Sequence, residues 1–200
     1  MGKRINLCTA LSVLLLAACS ATTQAATATP TPAPSPAPKE AVGRITEPPP
    51  TSCPSGPNPQ TVSPDFGPGL GQTPVWAVAF GAGAQGAVLL LQGEATIGPH
   101  GYYQKVLWVI QYGYGQPVRL GGSDSESGSP LWFQIGDAAP TTTPVLDPTH
   151  PGAYPGNPVN PDRVFPNYPS YLFIPRAGCY VLEATWPGGH WRIPFAAGGG

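Results

Sequence analysis

From about Thr73 to Ala197 short apolar runs alternate with turns rich in glycine and proline. The pattern predicts strands over 75–80, 87–92, 102–112, 118–121, 131–135, 171–175, 179–186 and 190–196. A two-residue period puts Tyr102, Val106, Trp108, Ile110 and Tyr112 on one strand face, interrupted by Gln104. Leu131, Phe133 and Ile135 share another face, and Trp191, Ile193 and Phe195 a third. Within 179–186, Tyr180, Leu182, Ala184 and Trp186 form the larger, uncharged set and are expected to face the core, with Cys179 opposite. Pro194 has no N–H for a ladder, so the last strand is expected at a sheet edge. Trp186-Pro187-Gly188-Gly189-His190 reads as the turn of the final hairpin. No stretch keeps a helical period over three turns. Many short strands in roughly 125 residues predict an all-β fold, an antiparallel β-sandwich, with a small β-barrel as the alternative.

The flanking segments have a different composition. Residues 20–52 are mostly Ala, Thr, Pro and Ser, as in Thr29-Pro30-Thr31-Pro32-Ala33-Pro34. Such a stretch has too little apolar surface to offset its ordering entropy and is expected to be a disordered, extended spacer. Residues 53–74 read as a transitional loop anchored by Phe66 and Leu70. Residues 136–170 hold nine prolines and read as a disordered insertion, with Val164, Phe165 and Tyr168 packing back on the domain.

The chain opens with Met1-Gly2-Lys3-Arg4, then an apolar run from Leu7 that ends in Leu16-Ala17-Ala18-Cys19. About ten apolar residues are too few to cross a ~30 Å hydrocarbon layer as a helix, so the run reads as a signal peptide. Its end resembles the lipobox of bacterial lipoproteins. The resemblance implies that Cys19 receives lipid and becomes the mature N-terminus, tethering the protein outside the cytoplasmic membrane. Ser20 after the cysteine implies the outer membrane if the cell has one. The expected plan is a signal peptide at 1–18, a lipid-anchored linker at 19–52, and a sandwich domain at 53–200 with its insertion at 136–170.

Loss of Lys3 and Arg4 with the signal leaves seven basic against ten acidic residues. That balance gives no reason to expect a nucleic-acid partner. Cys8 also leaves, and Cys19 is assigned to lipid. Cys53 and Cys179 remain, and in an exported chain they are read as one disulfide. The face assignment around Cys179 predicts a staple that straps the arm along the outside of the sandwich.

Pro175-Arg176-Ala177-Gly178-Cys179-Tyr180-Val181-Leu182 resembles the penultimate strand of immunoglobulin-like domains, where a Gly-x-Tyr step enters the strand. Lys105-Val106-Leu107-Trp108 and Gly178-Cys179-Tyr180 are similar to segments of uncharacterised exported bacterial immunoglobulin-like proteins. The resemblance implies an immunoglobulin-like sandwich and carries no catalytic residue.

Candidate chemistry is sparse. Gly81-Ala82-Gly83-Ala84-Gln85-Gly86 matches a dinucleotide fingerprint, but no helix and no acidic residue follow at the needed spacing, so it reads as a hairpin connection. His100, His150 and His190 lack metal-ligand spacing. Gly121 to Gly128 reads as a soluble acidic hairpin loop, too poor in oxygens for calcium. No metal, no cofactor and no enzymatic activity are expected. Trp132, Tyr112 and Tyr114 are expected to be exposed and are the candidate ligand-binding residues. The reading is a membrane-anchored extracytoplasmic module that binds or scaffolds an envelope protein or glycan. The alternative is a cell-wall or polysaccharide-binding domain.

Overall fold

The computed structural model describes residues 41–63, 66–91, 95–150 and 165–200. The signal segment, Cys19, the spacer up to residue 40, and Val164 lie outside the described residues. All described residues belong to one compact unit, 38–200. Its strands are β1 Ala41–Gly43, β2 Gln60–Ser63, β3 Gly67–Gln72, β4 Val75–Val78, β5 Gly81–Gly83, β6 Gly86–Leu91, β7 Ala95–Gly98, β8 Gly101–Ile110, β9 Val118–Asp124, β10 Trp132–Ile135, β11 Val145–Leu146, β12 Asn167–Ile174, β13 Gly178–Trp186 and β14 Gly189–Gly199.

They form two facing sheets, a sandwich and not a closed barrel. In the first sheet β8 is the hub. One of its edges pairs with β12, which pairs in turn with β10. The other edge pairs with β7 near its start and with β4 toward its end. β7 leads on to β1, and β4 to β3 and β2. The second sheet has the order β11-β9-β13-β14-β6-β5. Its pairs are antiparallel except β14 with β6, which is parallel.

The two-residue period decides what fills the space between the sheets. Val106, Trp108 and Ile110 of β8, Tyr180, Leu182 and Ala184 of β13, and Trp191, Ile193 and Phe195 of β14 all lie in one core cluster. Burying each large apolar side chain is worth ~1.5–3 kcal/mol. The rings of Phe80 and Tyr180 meet Phe195 with centroids 5.2 and 5.5 Å apart. Trp191 also donates its indole N–H to the Val75 carbonyl across the sandwich, at 3.2 Å.

Several segments differ from expectation. β14 is interior to its sheet, not an edge. Pro194 is nonetheless accepted, because β6 joins β14 only from Ala196 onward. Next to Pro194 the strand has β13 alone as its partner. The 53–74 segment contains β2 and β3, where Gly and Pro leave only Leu70 as a core residue and no alternation to read. The folded unit also takes in residues assigned above to the linker. β1 pairs with β7, Ile45 is buried in the core, and Gly199 N–H donates to Glu47 O at 2.8 Å. The backbone at Pro48 and Pro49 lies so close to Gly198 that a side chain there would collide with it.

The proline-rich stretch after Gly136 is likewise packed as far as His150. Phe133 and Thr141 exchange two main-chain hydrogen bonds of 2.8 Å, Leu120 N–H donates to Pro144 O, and Leu146 of β11 is fully buried. Phe165 stacks edge-on against Phe66, and Tyr168 is buried. Prolines keep their carbonyls, so such segments can be held as acceptors without forming long ladders.

Cys53 and Cys179 are joined, with Cα atoms 5.3 Å apart across a sequence separation of 126. Cys179 lies on the face of β13 opposite Tyr180 and Leu182, outside the core cluster. The arm therefore runs along the outside of the second sheet, from Ile45 beside Gly199 to Gly56 beside Pro194. Gly56 N–H is fixed to Gln85 O at 3.0 Å.

The acidic turn after β9 is more than a solvated loop. Asp124 is buried and paired with Arg176 at 2.8 Å, while Glu126 and Ser127 donate their N–H groups to its other oxygen. Burial alone would raise the Asp124 carboxyl. The Ser127 and Glu126 N–H groups and Arg176 outweigh it, so the group stays below its ordinary value of 3.8. Close by, the Tyr180 hydroxyl donates to Arg176 O at 2.7 Å. Burial lifts that phenol to about 12.

Reducing the disulfide is expected to destabilise the domain by about 2–5 kcal/mol, seen as a lower Tm in thermal melts with and without reductant. An unchanged Tm would show that the arm is held by its other contacts alone. Asp124 has a depressed folded-state pKa, so its stabilisation is full above the unfolded value near 3.8 and fades as pH falls through the folded one. Asp124→Asn is expected to cost about 1–3 kcal/mol at neutral pH. Denaturant titrations should show that deficit shrinking in acid below pH 3.8.

Candidate functional site

The strand directions give the sandwich two distinct ends. The chain enters at Ala41, which pairs with Ile97, itself the partner of Tyr102 at the start of β8. The β12–β13 connection lies at this same end. The start of β8 is separated by roughly 27 Å from its finish at Ile110, at ~3.4 Å per residue. At the far end Ile110 pairs with Val75, Val109 with Asn167, and the β13–β14 hairpin closes where Trp186 pairs with Gly189. The 111–117 loop and the start of β9 are there too, since Arg119 pairs with Thr185.

A hollow of about 350 Å³ lies at this far end, lined by Pro117, Arg119, Val145, Thr185, Trp186 and Pro187. Local sequence explains each lining residue. Val118 and Leu120 point into the core, so Arg119 between them points out. It sits in register between Val145 of β11 and Thr185 of β13. Trp186 shares the inward face of β13 and stands at the strand's end, half-buried and packed against the margin of the core. Its ring lies over Gly189: a Cβ at that glycine would be 2.8 Å from Cε2, Cζ2 and Nε1 of the indole. Pro117 and Pro187 add walls with a fixed φ.

The electrostatics of the hollow are simple. The neighbouring row carries Arg192, whose Nε is 2.7 Å from Glu183 Oε1. No carboxylate among the described residues lies within ion-pair distance of Arg119. Its guanidinium is an exposed cation beside an indole and a hydroxyl.

Tyr112, Tyr114 and Trp132 do not form one surface. Tyr112 stands 56% exposed in the loop at the far end. Tyr114, two residues on, packs against the core with its hydroxyl buried, and burial raises its pKa. Trp132 begins β10 beside Phe173, which pairs with Tyr103 near the start of β8. It is thus most of the length of β8 away. One face of its indole is covered by the His100 imidazole, 3.8 Å away and nearly parallel. Phe173, Tyr103 and Tyr171 continue this aromatic strip along the outer face of the first sheet. Among the residues of that sheet's strands, only Lys105 is charged.

Arg119, Thr185 and Trp186 were not legible as a site. They come from two strands more than sixty residues apart in sequence, and the one available signal was an outward arginine next to Pro117. The Gly81 to Gly86 run is the β5–β6 hairpin, with Gly83 opposite Gly86. His150 and Thr149 both turn onto Asp147, at 2.9 and 2.7 Å. The Thr149 hydroxyl and then His150 lower the Asp147 carboxyl to about 2. The threonine proton is committed to the carboxylate, so this exposed cluster is a closed turn and offers no activated nucleophile. Among the described residues no three His, Cys, Asp or Glu side chains are grouped to hold a metal ion.

No protein-family model and no curated protein matches the chain. A solved structure described as "X-ray Crystal Structure of a Putative Lipoprotein from Bacillus anthracis" is similar at 12% identity and a TM-score of 0.42. The match covers 73% of this chain and 88% of that one. A likeness so distant carries nothing about the chemistry of the hollow.

Gly189→Ala tests how the indole is held. The added methyl must displace the Trp186 ring, so the tryptophan emission and near-UV circular dichroism are expected to change while the fold persists. Spectra identical to those of the parent would mean that the ring does not rest on Gly189.

Proposed function

We propose that this protein is a lipid-anchored, extracytoplasmic binding module of immunoglobulin-like build that carries out no chemistry. The anchor rests on Leu16-Ala17-Ala18-Cys19 at the end of a short apolar run. The immunoglobulin-like reading is supported by β12 crossing from one sheet to β13 in the other. The Tyr180 hydroxyl bonds back to Arg176 O at that crossing, as in a tyrosine corner. The observation that carries the binding role is the opposition of the two ends. The chain enters the unit at one end, and the hollow with its exposed cation and indole opens at the other. A tether joined to the first end leaves the second free to meet a partner.

The alternative, a cell-wall or polysaccharide-binding domain, is favoured by one feature: the flat Trp186 indole beside Arg119, with Tyr112 exposed at the same end. On this reading Trp132 belongs to a separate surface.

Metabolic labelling with a fatty acid tests the anchor. The Cys19→Ala precursor is expected to lose the label and to be released or left uncleaved. A native mature N-terminus that is unmodified and begins at another residue, found by mass spectrometry, would refute the lipoprotein reading.

A further inference from the structure

We infer that the Arg119–Trp186 hollow binds a carboxylate-bearing sugar unit of an acidic polysaccharide. The inference rests on the reading of the far end as the binding end and supplies its ligand chemistry.

Each lining group contributes to that choice. The Arg119 guanidinium is a planar fork of donors whose geometry matches a carboxylate in bidentate fashion. Its head group has no carboxylate within reach among the described residues, so an incoming anion displaces no internal partner. A single cation balances a single carboxylate and falls short of the double charge of a phosphate monoester. The Trp186 ring is laid flat against Gly189 and is therefore oriented before any ligand arrives. The negative face of an indole attracts the weakly positive C–H edge of a pyranose ring. The Thr185 hydroxyl can both donate to and accept from sugar hydroxyls. Pro117, Pro187 and Val145 wall the site with side chains that lose little freedom on binding. The volume, about 350 Å³, is at the small end of ligand sites and suits one sugar ring with its substituent.

A proline-rich peptide would also fit an indole flanked by prolines. It would leave the guanidinium without a partner, and the acidic sugar satisfies both features at once. The aromatic strip around Trp132 is the other surface rich in rings, but the one charge among that sheet's strand residues is Lys105, which has no planar fork to match a carboxylate.

Titration calorimetry and tryptophan fluorescence on the full exported chain test the inference. The probes are tetragalacturonate, its methyl ester and a hyaluronan hexasaccharide, so that two uronic acids and one uncharged sugar of nearly equal shape are compared. The expected result is saturable binding of at least one acid, with the methyl ester at least tenfold weaker than its parent acid. Arg119→Gln changes an exposed strand residue and should fold; it is expected to weaken acid binding at least tenfold. It should leave the small affinity for the ester nearly unchanged. Trp186→Ala should weaken both, and Trp132→Ala neither. Equal affinity for acid and ester would overturn the inference, as would failure of both acids to bind. Binding that is lost in Trp132→Ala and kept in Arg119→Gln would also overturn it, while leaving the broader binding role in place. Failure of the lipid anchor would appear in the labelling of Cys19 and would leave these titrations unchanged.

Discussion

Everything in this domain is arranged around β8. It is the one strand that pairs along one edge with β12 and along the other with both β7 and β4. Val106, Trp108 and Ile110 project from it into the core, where Trp108 is fully buried and lies 6.3 Å from Phe133 between ring centroids. Pairing on both edges removes the freedom to slip, because a shift of one residue would turn these three side chains out to solvent. The direction of β8 then defines two ends of the sandwich, and the positions of the chain entry and of the hollow follow from it.

The arm before β2 shows a second way of holding chain in place. Its composition offers Ile45 and little else to bury. It is held by the Cys53–Cys179 bridge, by bonds from Gly56 and Gly199, and by close backbone contact at glycines of β14. Small residues at the end of β14 allow that approach where an ordinary strand sequence would repel it. The bridge lies beyond β1 and Ile45 along the chain, so it fixes the arm between the chain's entry and β2.

The two outer faces differ in chemistry. The first sheet presents rings around a lone lysine, with His100 stacked on Trp132. The second carries the Arg192–Glu183 pair, the strapped arm and, at its far end, Arg119, which has no carboxylate partner among the described residues. Aromatic groups alone do not distinguish a binding site from a packed surface. A cation without a carboxylate partner beside a pre-oriented indole is the more specific feature, because it leaves a defined charge to be satisfied by something else.

The sequence by itself determined the class of fold, eight of the strands and the inward faces of β8, β10, β13 and β14. A period of two read along one chain is enough to say which side chains must leave water, as Tyr180, Leu182 and Ala184 show. It also marked Cys53 and Cys179 as partners, since reading the start of the chain as a lipoprotein signal left only these two cysteines unassigned. Only the tertiary structure decided what depends on distant segments meeting. The parallel pairing of β14 with β6 put the end of the last strand inside a sheet while leaving Pro194 with β13 alone, and main-chain bonds drew the proline-rich stretches around Ile45 and Leu146 into the fold. The separation of Trp132 from Tyr112 and the meeting of Arg119 with Trp186 were decided in the same way. Strand pairing is made by backbone groups that every residue carries, so the side-chain pattern records which way a strand faces and not which strand lies beside it.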